Sequence, residues 1–536
     1  MRGLMLFCCY TVLILGTVLL SILPDLHHLR IASPGSTYPL LHNYVHDYYG
    51  YLSEMKDGYD GKWLVSYRGT AEHNRPIFIY TFFIVLGKFA RILNLSLPLT
   101  YFIARIVFGI GLLLSSLWLI SKIFKSHLLR LTALFLVAES SGFWKLGSDN
   151  NLFNVRQYIE FWTHYDPINR TTFLPHHLIS HMFGVFTIGL VAEAIVNRKV
   201  WYAVLAGILG VLAAISYHGT MTNILGTWGI FLPFWLIFTR NQTLKKRLTS
   251  VYIFTVFAVF TSLSLLYMLS LAYTVWPWTI NSDLAGRLSF NISFREYVGV
   301  LGPTFILSLI GIPIILKSPM LLPKFLLCWS LFPFLGIFYL TRIFPQWSNQ
   351  PYMEATSYIP FAILSVFGLQ SVSEIIPRLK RLVYAVILLL LTIYFVPAHI
   401  TSILRNIDAR NPNMYTDYLP NNQMEGFVWL DKNTPEGSIV LAGGFTSAPL
   451  IAFTHNYVVY MDNVTTFRSG EKMSDLLLFF SQKNPIEGRA ILQKYNIDYV
   501  FFSYDTDLPE DDFIKALPLT ERFRKDRVVI YSVEKI

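Results

Sequence analysis

The chain has 536 residues, of which 54% are hydrophobic, 16% aromatic and only 14% charged. Soluble domains carry roughly 25% charged residues, so this composition excludes a soluble enzyme. The net charge is +10, but the excess cations lie in short links between apolar segments, which indicates membrane topology and excludes a nucleic-acid-binding surface.

Apolar segments predict a polytopic α-helical membrane protein. The first, residues 4–23, is long for a signal peptide and no small-x-small cleavage site follows it, so it predicts an uncleaved span. Cys8, Cys9 and Cys328 lie inside apolar segments, which leaves no disulfide framework. Apolar windows of about 20 residues predict about 11 spans in total. After the first, they fall near residues 99–121, 129–144, 176–196, 200–217, 221–239, 249–275, 298–316, 325–341, 356–372 and 382–398.

One apolar segment decides the topology. In residues 76–93 only about a dozen residues precede Lys88 and Arg91, which is short for a span. Counting it as a span would place the later basic links outside, so we expect an interfacial helix whose cations reach the headgroups. The positive-inside rule then predicts a cytoplasmic N-terminus and an external loop over residues 24–98. The basic links predicted inside are 122–130, 198–199, 240–247, 317–324 and 374–381, and the other external segments are 145–175, 276–297 and 342–355.

The C-terminal tail has a different pattern. From residue 424 onward, helical segments alternate with short runs rich in Val, Ile and Tyr, which predicts a small α/β domain. We predict strands at 438–442, 457–461, 497–503 and 528–533. The sequence is thus divided into a membrane module, residues 1–400, and a soluble extracytoplasmic α/β domain, residues 401–536.

Acidic and histidine residues collect at the predicted outer side. A transporter more often buries such groups midway along its spans, so their position favours a reaction chamber at the outer face. These residues are Asp25, Asp47, Glu54, Asp57, Asp60, Glu72 and His73 in the first loop, Glu139, Asp149, Glu160, Asp166 and Arg170 in the second external segment, and His176, His177 and His181 at the start of the next span.

The N-terminal part of the chain resembles the corresponding module of GT-C fold glycosyltransferases. The resemblance lies in the order and spacing of HDYYGYLSEMKDGYDGKW (46–63), TAEHN (70–74), PIFIYTFFIVLGKFARILNLS (76–96) and YFIARIVFG (101–109). That superfamily includes protein O-mannosyltransferases, aminoarabinose transferases and oligosaccharyltransferase catalytic subunits. The resemblance covers roughly residues 1–200, and the tail is similar to the extracytoplasmic α/β domains of many bacterial members.

This resemblance implies a glycosyltransferase of the cell envelope. Its donor would be a polyprenyl-phosphate-linked sugar taken from the membrane, and its acceptor a glycan, lipid or protein. No cofactor is certain, and members of the fold differ in their need for a divalent metal. The resemblance places Asp47 at the first-loop acidic position, Arg105 at the arginine of the second span, and Asp149 or Asp166 in the second acidic loop. Asp47 lies well downstream of the first span, and Asp25, which is nearer, lacks the following aromatic residue.

Sugar transfer from a lipid phosphate imposes its own chemical requirements. A carboxylate must accept the proton of the acceptor hydroxyl, and cations must stabilise the leaving phosphate. Inversion in one displacement needs a single base and no covalent intermediate. Asp47, beside Tyr48 and Tyr51, suits the base. Arg105, Arg170 and Arg342 are candidate phosphate ligands, and Glu72, His73, Asp149, Asp166, His176 and His177 are candidate lining residues.

Each candidate also has a structural interpretation. Glu72 suits a helix cap, Arg105 suits a snorkelling cation at a span end, and Arg342 suits an aromatic belt. His177 and His181 share a helix face, which permits a metal site. A lipid or solute transporter and a noncatalytic partner in envelope assembly are the alternative functions. The spans after residue 249 are nearly free of ionisable residues and no repeat relates the halves, which disfavours transport.

Overall fold

The computed structural model describes residues 2–147, 151–152, 154–158, 165–280, 289–344, 348–353, 357–508 and 510–534. The chain divides into two compact units. The membrane unit comprises Met1–Pro24, Arg105–Ser270 and Ala285–Ile407, and the loop–tail unit comprises Asp25–Ala104, Leu271–Leu284 and Asp408–Ile536. The loop–tail unit therefore joins the predicted first external loop to the tail, while the domain boundary near residue 401 stays a prediction.

The first half of the chain is mostly helical, as its long apolar runs predict. Its helices and strands are α1 (Arg2–Ile31), β1 (Ser36–Thr37), α2 (Val45–Tyr59), α3 (Thr81–Leu93), α4 (Leu97–Ile123), α5 (His127–Glu139), β2 (Trp144–Leu146), β3 (Val155–Gln157), α6 (Pro167–Thr171), α7 (Pro175–Asn197), α8 (Val200–Ser216), α9 (His218–Phe238) and α10 (Leu244–Thr274).

The remaining helices of the membrane unit continue the apolar pattern up to the start of the tail. They are α11 (Phe294–Leu301), α12 (Pro303–Lys317), α13 (Leu321–Leu335), α14 (Thr341–Ile343), α15 (Tyr358–Ser373) and α16 (Lys380–Asp408). A π-helical turn, Gly336–Leu340, joins α13 to α14. A capping box, in which Ser293 and Glu296 exchange hydrogen bonds, starts α11.

Within the described residues, eight helices are long and apolar enough to cross a membrane, and nine if the bent pair α11 and α12 is one span. The chain is therefore a multi-pass membrane protein. The predicted number of about 11 spans is not confirmed. The segments predicted near 129–144 and 200–217 form α5 and α8, which have 13 and 17 residues. Both are shorter than the roughly 20 residues that a bilayer requires.

Helix α3 occupies the segment that decided the predicted topology. It has 13 residues and is not among the candidate spans. One face is buried through Phe83, Ile84 and Leu86, whereas Phe89 and Ile92 are exposed on the other. This amphipathic pattern suits a helix at a membrane surface. Its interfacial location stays a prediction.

Two glycines bring α3 into close contact with α2. A Cβ atom at Gly58 would lie 2.1 Å from the Ile84 carbonyl oxygen, and one at Gly87 would lie 1.8 Å from the Met55 carbonyl oxygen. No other residue type fits at such distances from backbone atoms. The pair therefore fixes how the first-loop helices cross.

The tail folds around a five-stranded sheet, which confirms the predicted small α/β region. Its strand order is β6-β5-β7-β9-β8, with β5 parallel to β6 and β7, and β9 antiparallel to β7 and β8. The tail elements are β4 (Leu419–Pro420), α17 (Asn421–Asn433), β5 (Ile439–Ala442), α18 (Gly444–Phe453), β6 (Tyr457–Val458), α19 (Ser469–Leu477), α20 (Pro485–Lys494), β7 (Tyr499–Phe502), α21 (Asp511–Lys515), β8 (Leu519–Lys525) and β9 (Val528–Val533).

The central strands carry the apolar runs that predicted them. All residues of β5 are buried, as expected for a strand covered on both faces. Strand β8, with the sequence LTERFRK, was not predicted. It lies at the sheet edge, where polar side chains are tolerated and protect the edge from further pairing.

Candidate active site

The candidate site begins on helix α2 of the first loop. Asp47 lies in its first turn. Tyr51 and Glu54 follow at intervals of four and three residues, so the three side chains share one helix face. The other face carries buried residues, including Leu52 and Met55, which hold the helix in the loop–tail unit. The helical period thus separates a polar face from a packing face.

The carboxyl of Asp47 has an environment suited to proton transfer. The residue keeps solvent exposure, yet the surrounding protein atoms, which partly desolvate the carboxyl, and to a smaller extent the charge of Asp462 together raise its pKa to about 6. The N-terminal end of a helix stabilises the ionised form. Burial and repulsion outweigh that effect here. A carboxyl of this pKa accepts and releases protons close to neutral pH.

Asp462 comes from the tail, in the loop after β6. It is 7% exposed. Its Oδ1 atom accepts hydrogen bonds from the backbone N–H groups of Val464 and Thr465, each at 2.6 Å. Its Oδ2 atom accepts one from the Thr465 hydroxyl, also at 2.6 Å. The loop therefore fixes the position of this carboxylate.

Glu54 is a further carboxyl on the same face of α2 as Asp47. Burial raises its pKa well above the ordinary value, Asp57 adds to the effect and Arg68 opposes it. Its Oε2 atom is buried and has no hydrogen-bond partner in the described part of the chain. Burial therefore favours the protonated form of this carboxyl.

Phenol groups surround these carboxyls. Burial raises the pKa of Tyr67 and of Tyr80, and the charge of Glu54 raises both further. Both phenols therefore remain protonated hydrogen-bond donors. Trp278 packs edge-on against both rings, with centroid distances of 6.0 Å to Tyr67 and 5.3 Å to Tyr80.

Tyr80 has an unusual backbone conformation. Its φ angle is 51°, in the left-handed region, directly before α3. That conformation costs a residue with a side chain of order 1 kcal/mol or more and persists where the surroundings impose it. The start of α3 therefore fixes a phenol that interacts electrostatically with Asp47 and Glu54.

The remaining predicted first-loop residues have packing or ion-pair roles. Tyr51 stacks on Phe83 at 4.6 Å and feels the charge of Asp47, so it belongs to the cluster. The Tyr48 hydroxyl donates to the Pro39 carbonyl oxygen at 2.5 Å, and the residue is buried. Tyr48 therefore packs inside the unit, on the face away from Asp47.

Glu72 and His73 contact the tail. Glu72 forms an ion pair with Lys472 at 2.5 Å and accepts a hydrogen bond from the Thr70 hydroxyl. The His73 ring packs edge-on against Tyr457 at 4.6 Å. Both residues therefore join the first loop to the tail, and their predicted role in lining the site stays a prediction.

Two predicted arginines of the membrane unit hold local structure. The Arg105 guanidinium donates to the Thr172 carbonyl oxygen at 2.7 Å. The Arg170 guanidinium donates to the Ala138 carbonyl oxygen at 2.9 Å and lies over the Tyr358 ring. Both arginines are buried.

Asp166 caps a helix. Its Oδ1 atom accepts hydrogen bonds from the backbone N–H groups of Ile168 and Asn169, at the start of α6. It also accepts from the Ser402 hydroxyl at 2.8 Å.

Asp149 lies outside the described residues. Arg342, on α14, is exposed.

The histidines cluster at the start of α7. The His177 ring stacks on Tyr217 at 3.8 Å, and His176 packs edge-on against His177 at 4.4 Å. All the rings of His176, His177 and His181 are buried. Among the described residues no group of three or more His, Cys, Asp or Glu side chains is arranged to hold a metal ion. The predicted metal site at His177 and His181 therefore has no support from geometry.

Glu54 and Asp462 were not predicted as site residues. The sequence reveals Glu54 more easily than Asp462. Glu54 stands seven positions after Asp47, so the helical period alone places both on one face. Asp462 lies at the other end of the sequence, in a loop whose position depends on how the tail packs against the first loop. No local pattern marks it.

The fold has clear relatives among solved structures. No family model and no curated protein sequence matches the chain. The oligosaccharyltransferase AglB of Archaeoglobus fulgidus, solved with an inhibitory peptide and a dolichol-phosphate, superposes with a TM-score of 0.56 at 14% identity, covering 92% of this chain and 69% of that one. The chain has the GT-C fold.

Further GT-C structures match over nearly the whole chain. ArnT from Cupriavidus metallidurans, bound to undecaprenyl phosphate, gives a TM-score of 0.53 at 11% identity and covers 97% of each chain. The mycobacterial arabinofuranosyltransferase AftD gives 0.54 at 12% identity, covering 98% of this chain and 40% of that one. The predicted GT-C resemblance is therefore confirmed at the level of the fold. Another structure of the Archaeoglobus enzyme is a complex with Zn and sulfate.

Proposed function

We propose that the protein is a membrane glycosyltransferase that moves a sugar from a polyprenyl-phosphate donor to an acceptor on the outer face. The observation that carries this proposal is the Asp47 carboxyl, which is solvent-exposed and has a pKa of about 6, raised by burial and then by Asp462. Two GT-C relatives support the donor class, because AglB was solved with a dolichol-phosphate and ArnT with undecaprenyl phosphate.

Asp47 serves as the base in this proposal. The acceptor hydroxyl transfers its proton to the Asp47 carboxylate while its oxygen attacks the anomeric carbon. The bond from that carbon to the phosphate oxygen breaks in the same step, so the polyprenyl phosphate leaves with the bonding electron pair. One displacement inverts the anomeric configuration and needs no covalent enzyme intermediate.

The groups around Asp47 suit a sugar. Tyr67 and Tyr80 are neutral donors, and Tyr80 interacts electrostatically with both Asp47 and Glu54. Sugar hydroxyls need such donors and acceptors at fixed positions. Among the predicted phosphate ligands we favour Arg342, because its side chain is exposed whereas Arg105 and Arg170 are buried on backbone carbonyls.

The orientation completes the proposal. The N-terminus lies in the cytoplasm, and the loop–tail unit lies outside, where the donor sugar and the acceptor meet. The proposed proton transfer uses the protein carboxylate alone.

The experiment is a transfer assay with purified protein in nanodiscs. Radiolabelled undecaprenyl-phosphate and dolichol-phosphate sugars serve as donors, and an envelope glycan and lipid extract serves as acceptor. We expect label to leave the polyprenyl lipid in the wild type. Asp47→Asn should reduce transfer by roughly 100-fold or more, as expected for loss of a general base.

A matched variant separates catalysis from folding. Asp60 lies at the other end of α2, is exposed, and pairs with Lys56 at 2.7 Å. Asp60→Asn removes a first-loop carboxylate of the same helix and should keep nearly wild-type transfer. Equal transfer by the Asp47 variant and the wild type would remove Asp47 as the base, and absence of transfer by the wild type with every donor would contradict the proposed function.

A further inference from the structure

A groove of about 270 Å³ lies in the membrane unit beside the basic link 122–130. Its walls come from the candidate spans α1 and α4 and from the first turns of α5. On α4 the lining positions follow each other at intervals of three and four residues, so they share one helix face. The lining residues are Tyr10, Leu114, Leu117, Trp118, Ser121 and Arg130.

The groove is apolar at one end and polar at the other. Leu114 and Leu117 line the apolar end, and Leu114 is 49% exposed. Ser121 lies two turns further along α4, and Arg130 lines the groove at that end. The lining therefore changes from hydrocarbon to polar groups over about 10 Å of helix.

Two aromatic residues indicate the level of the lipid headgroups. The Tyr10 hydroxyl and the His127 Nδ1 atom share a hydrogen bond of 3.3 Å. The Lys122 Nζ atom lies 5.2 Å from the centroid of the Trp118 ring. Tyrosine and tryptophan side chains with polar partners prefer the interface between membrane and water. The polar end of the groove therefore suits a headgroup, and its leucine end suits an acyl chain.

Arg130 provides the positive charge of the groove. Its Nε atom donates to the Phe124 carbonyl oxygen at 2.7 Å, and its Nη2 atom donates to the Ser121 carbonyl oxygen at 3.4 Å. These bonds hold the guanidinium at the C-terminal end of α4. Within the described residues, its Nη1 atom makes no hydrogen bond and no carboxylate pairs with it.

A second cation of the same link is uncompensated. Lys125 is exposed and forms no ion pair with the described part of the chain. Lys122, in contrast, pairs with Glu193 at 2.9 Å. Residues 122–130 contain no acidic side chain. The polar end of the groove thus has two positive charges, those of Arg130 and Lys125, available to a ligand.

The bilayer supplies the occupant of such a groove. A void beside a span is unfavourable, because the atoms that line it lose their packing contacts. An acyl chain restores these contacts at the leucine end. A guanidinium binds phosphate oxygens in a fixed geometry, and basic pockets between spans bind anionic headgroups on the cytoplasmic side. The positive-inside rule predicts that side for this link.

We propose that the groove binds one anionic phospholipid, with an acyl chain against Leu114 and Leu117 and the phosphate at Arg130 and Lys125. The bound lipid would join the ends of α1, α4 and α5. This inference does not rest on the proposed glycosyl transfer, because none of its residues belongs to the candidate active site.

The first test measures lipid contact at Trp118. Full-length protein is reconstituted in phosphatidylcholine vesicles that contain either phosphatidylglycerol or phosphatidylcholine brominated on the acyl chains, since bromine quenches tryptophan fluorescence on contact. The difference between the wild type and Trp118→Phe isolates this residue among the 12 tryptophans. We expect half-maximal quenching of Trp118 at a roughly fivefold lower fraction of the anionic lipid, or lower still.

Charge variants test the headgroup contact. Arg130→Gln and Lys125→Gln should each reduce the preference for phosphatidylglycerol, by up to roughly fivefold. Lys125 is exposed, so its variant keeps the test decisive if Arg130→Gln does not fold. Lys245→Gln is the matched control, because Lys245 is an exposed cation of the basic link 240–247 and does not line the groove. It should keep the wild-type preference.

Native mass spectrometry gives a second measurement. After washing with a delipidating detergent, the wild type from phosphatidylglycerol vesicles should retain one phosphatidylglycerol, and the Lys125 variant should retain less. Equal quenching by the two brominated lipids, or an equal loss of preference in Lys245→Gln, would show ordinary boundary lipid and overturn the inference. Retention of a polyprenyl phosphate in place of a phospholipid would overturn the proposed occupant. Neither measurement involves sugar transfer, so both are independent of the proposed function.

Discussion

The crossing of α2 and α3 gives the sharpest structural prediction. A Cβ atom at Gly58 would lie 2.1 Å from the Ile84 carbonyl oxygen, whereas ordinary contacts begin near 3.4 Å. Ile84 presents a backbone atom there, so no side-chain rotation relieves the clash. Gly58→Ala must push the helices apart by about 1 Å. We expect it to lower the free energy of unfolding by an amount at the upper end of the roughly 1–3 kcal/mol that overpacking costs.

Gly50 on the same helix gives the opposite expectation. Nothing lies within 4 Å of a Cβ atom at Gly50. Gly50→Ala should therefore stabilise the protein by roughly 0.5–1 kcal/mol through helix propensity. Each variant adds one methyl group to α2, at positions about two helical turns apart, so the comparison isolates the effect of the helix crossing.

The assay is thermal unfolding in detergent, followed by tryptophan fluorescence. Gly58→Ala should lower the midpoint by several degrees, and Gly50→Ala should leave it equal or higher. At temperatures below its unfolding midpoint, the Gly58→Ala variant should also transfer sugar more slowly than the wild type, because α3 begins directly after Tyr80 of the site. An unfolding midpoint for Gly58→Ala equal to that of the wild type would refute the close crossing.

Two further predictions concern protonation. With a pKa of about 6, Asp47 is about 90% ionised at pH 7 and about 10% ionised at pH 5. The transfer rate should therefore fall nearly tenfold from pH 7 to pH 5. A rate unchanged down to pH 5 would contradict the assignment of Asp47 as the base. Burial raises the pKa of Glu54 well above its ordinary value, so the stability contributed by its protonated form is complete at low pH and is lost as the pH rises toward the folded-state pKa. Glu54→Gln should therefore unfold at a higher temperature than the wild type at pH 8 and at nearly the same temperature at pH 4; a variant no more stable at pH 8 would contradict a buried, protonated Glu54.

Local sequence patterns predicted much of the architecture. The long apolar windows, the amphipathic segment of α3 and the buried strands of the tail follow from helical and strand periodicity, which depends on neighbouring residues. The predicted number of about 11 spans is not confirmed, because eight or nine helices of the described residues are long and apolar enough to cross a membrane. Hydropathy measures apolar content and does not show where a helix ends. Helix α5, for example, ends at Glu139 after 13 residues.

The roles of charged residues depended on their partners. Asp166 precedes Pro167, a combination that predicts a helix start, and in the structure it caps α6. Arg105 and Arg170 hold backbone carbonyls. A sequence records the charge of a side chain and leaves its hydrogen-bond partners unknown. Glu72 likewise forms an ion pair with Lys472 of the tail.

The sequence by itself determined the membrane class, and it predicted an outer cluster of acids and the candidate base Asp47. Periodicity and charge are local properties, so they can be read without a fold. Only the tertiary structure decided that the tail pairs with the first loop, through Thr70 and Tyr460, and that the surroundings of Asp47 and Glu54 raise the pKa of both carboxyls. Burial and the approach of distant chain segments set these electrostatic environments, and both arise from the packing of the tail against the first loop.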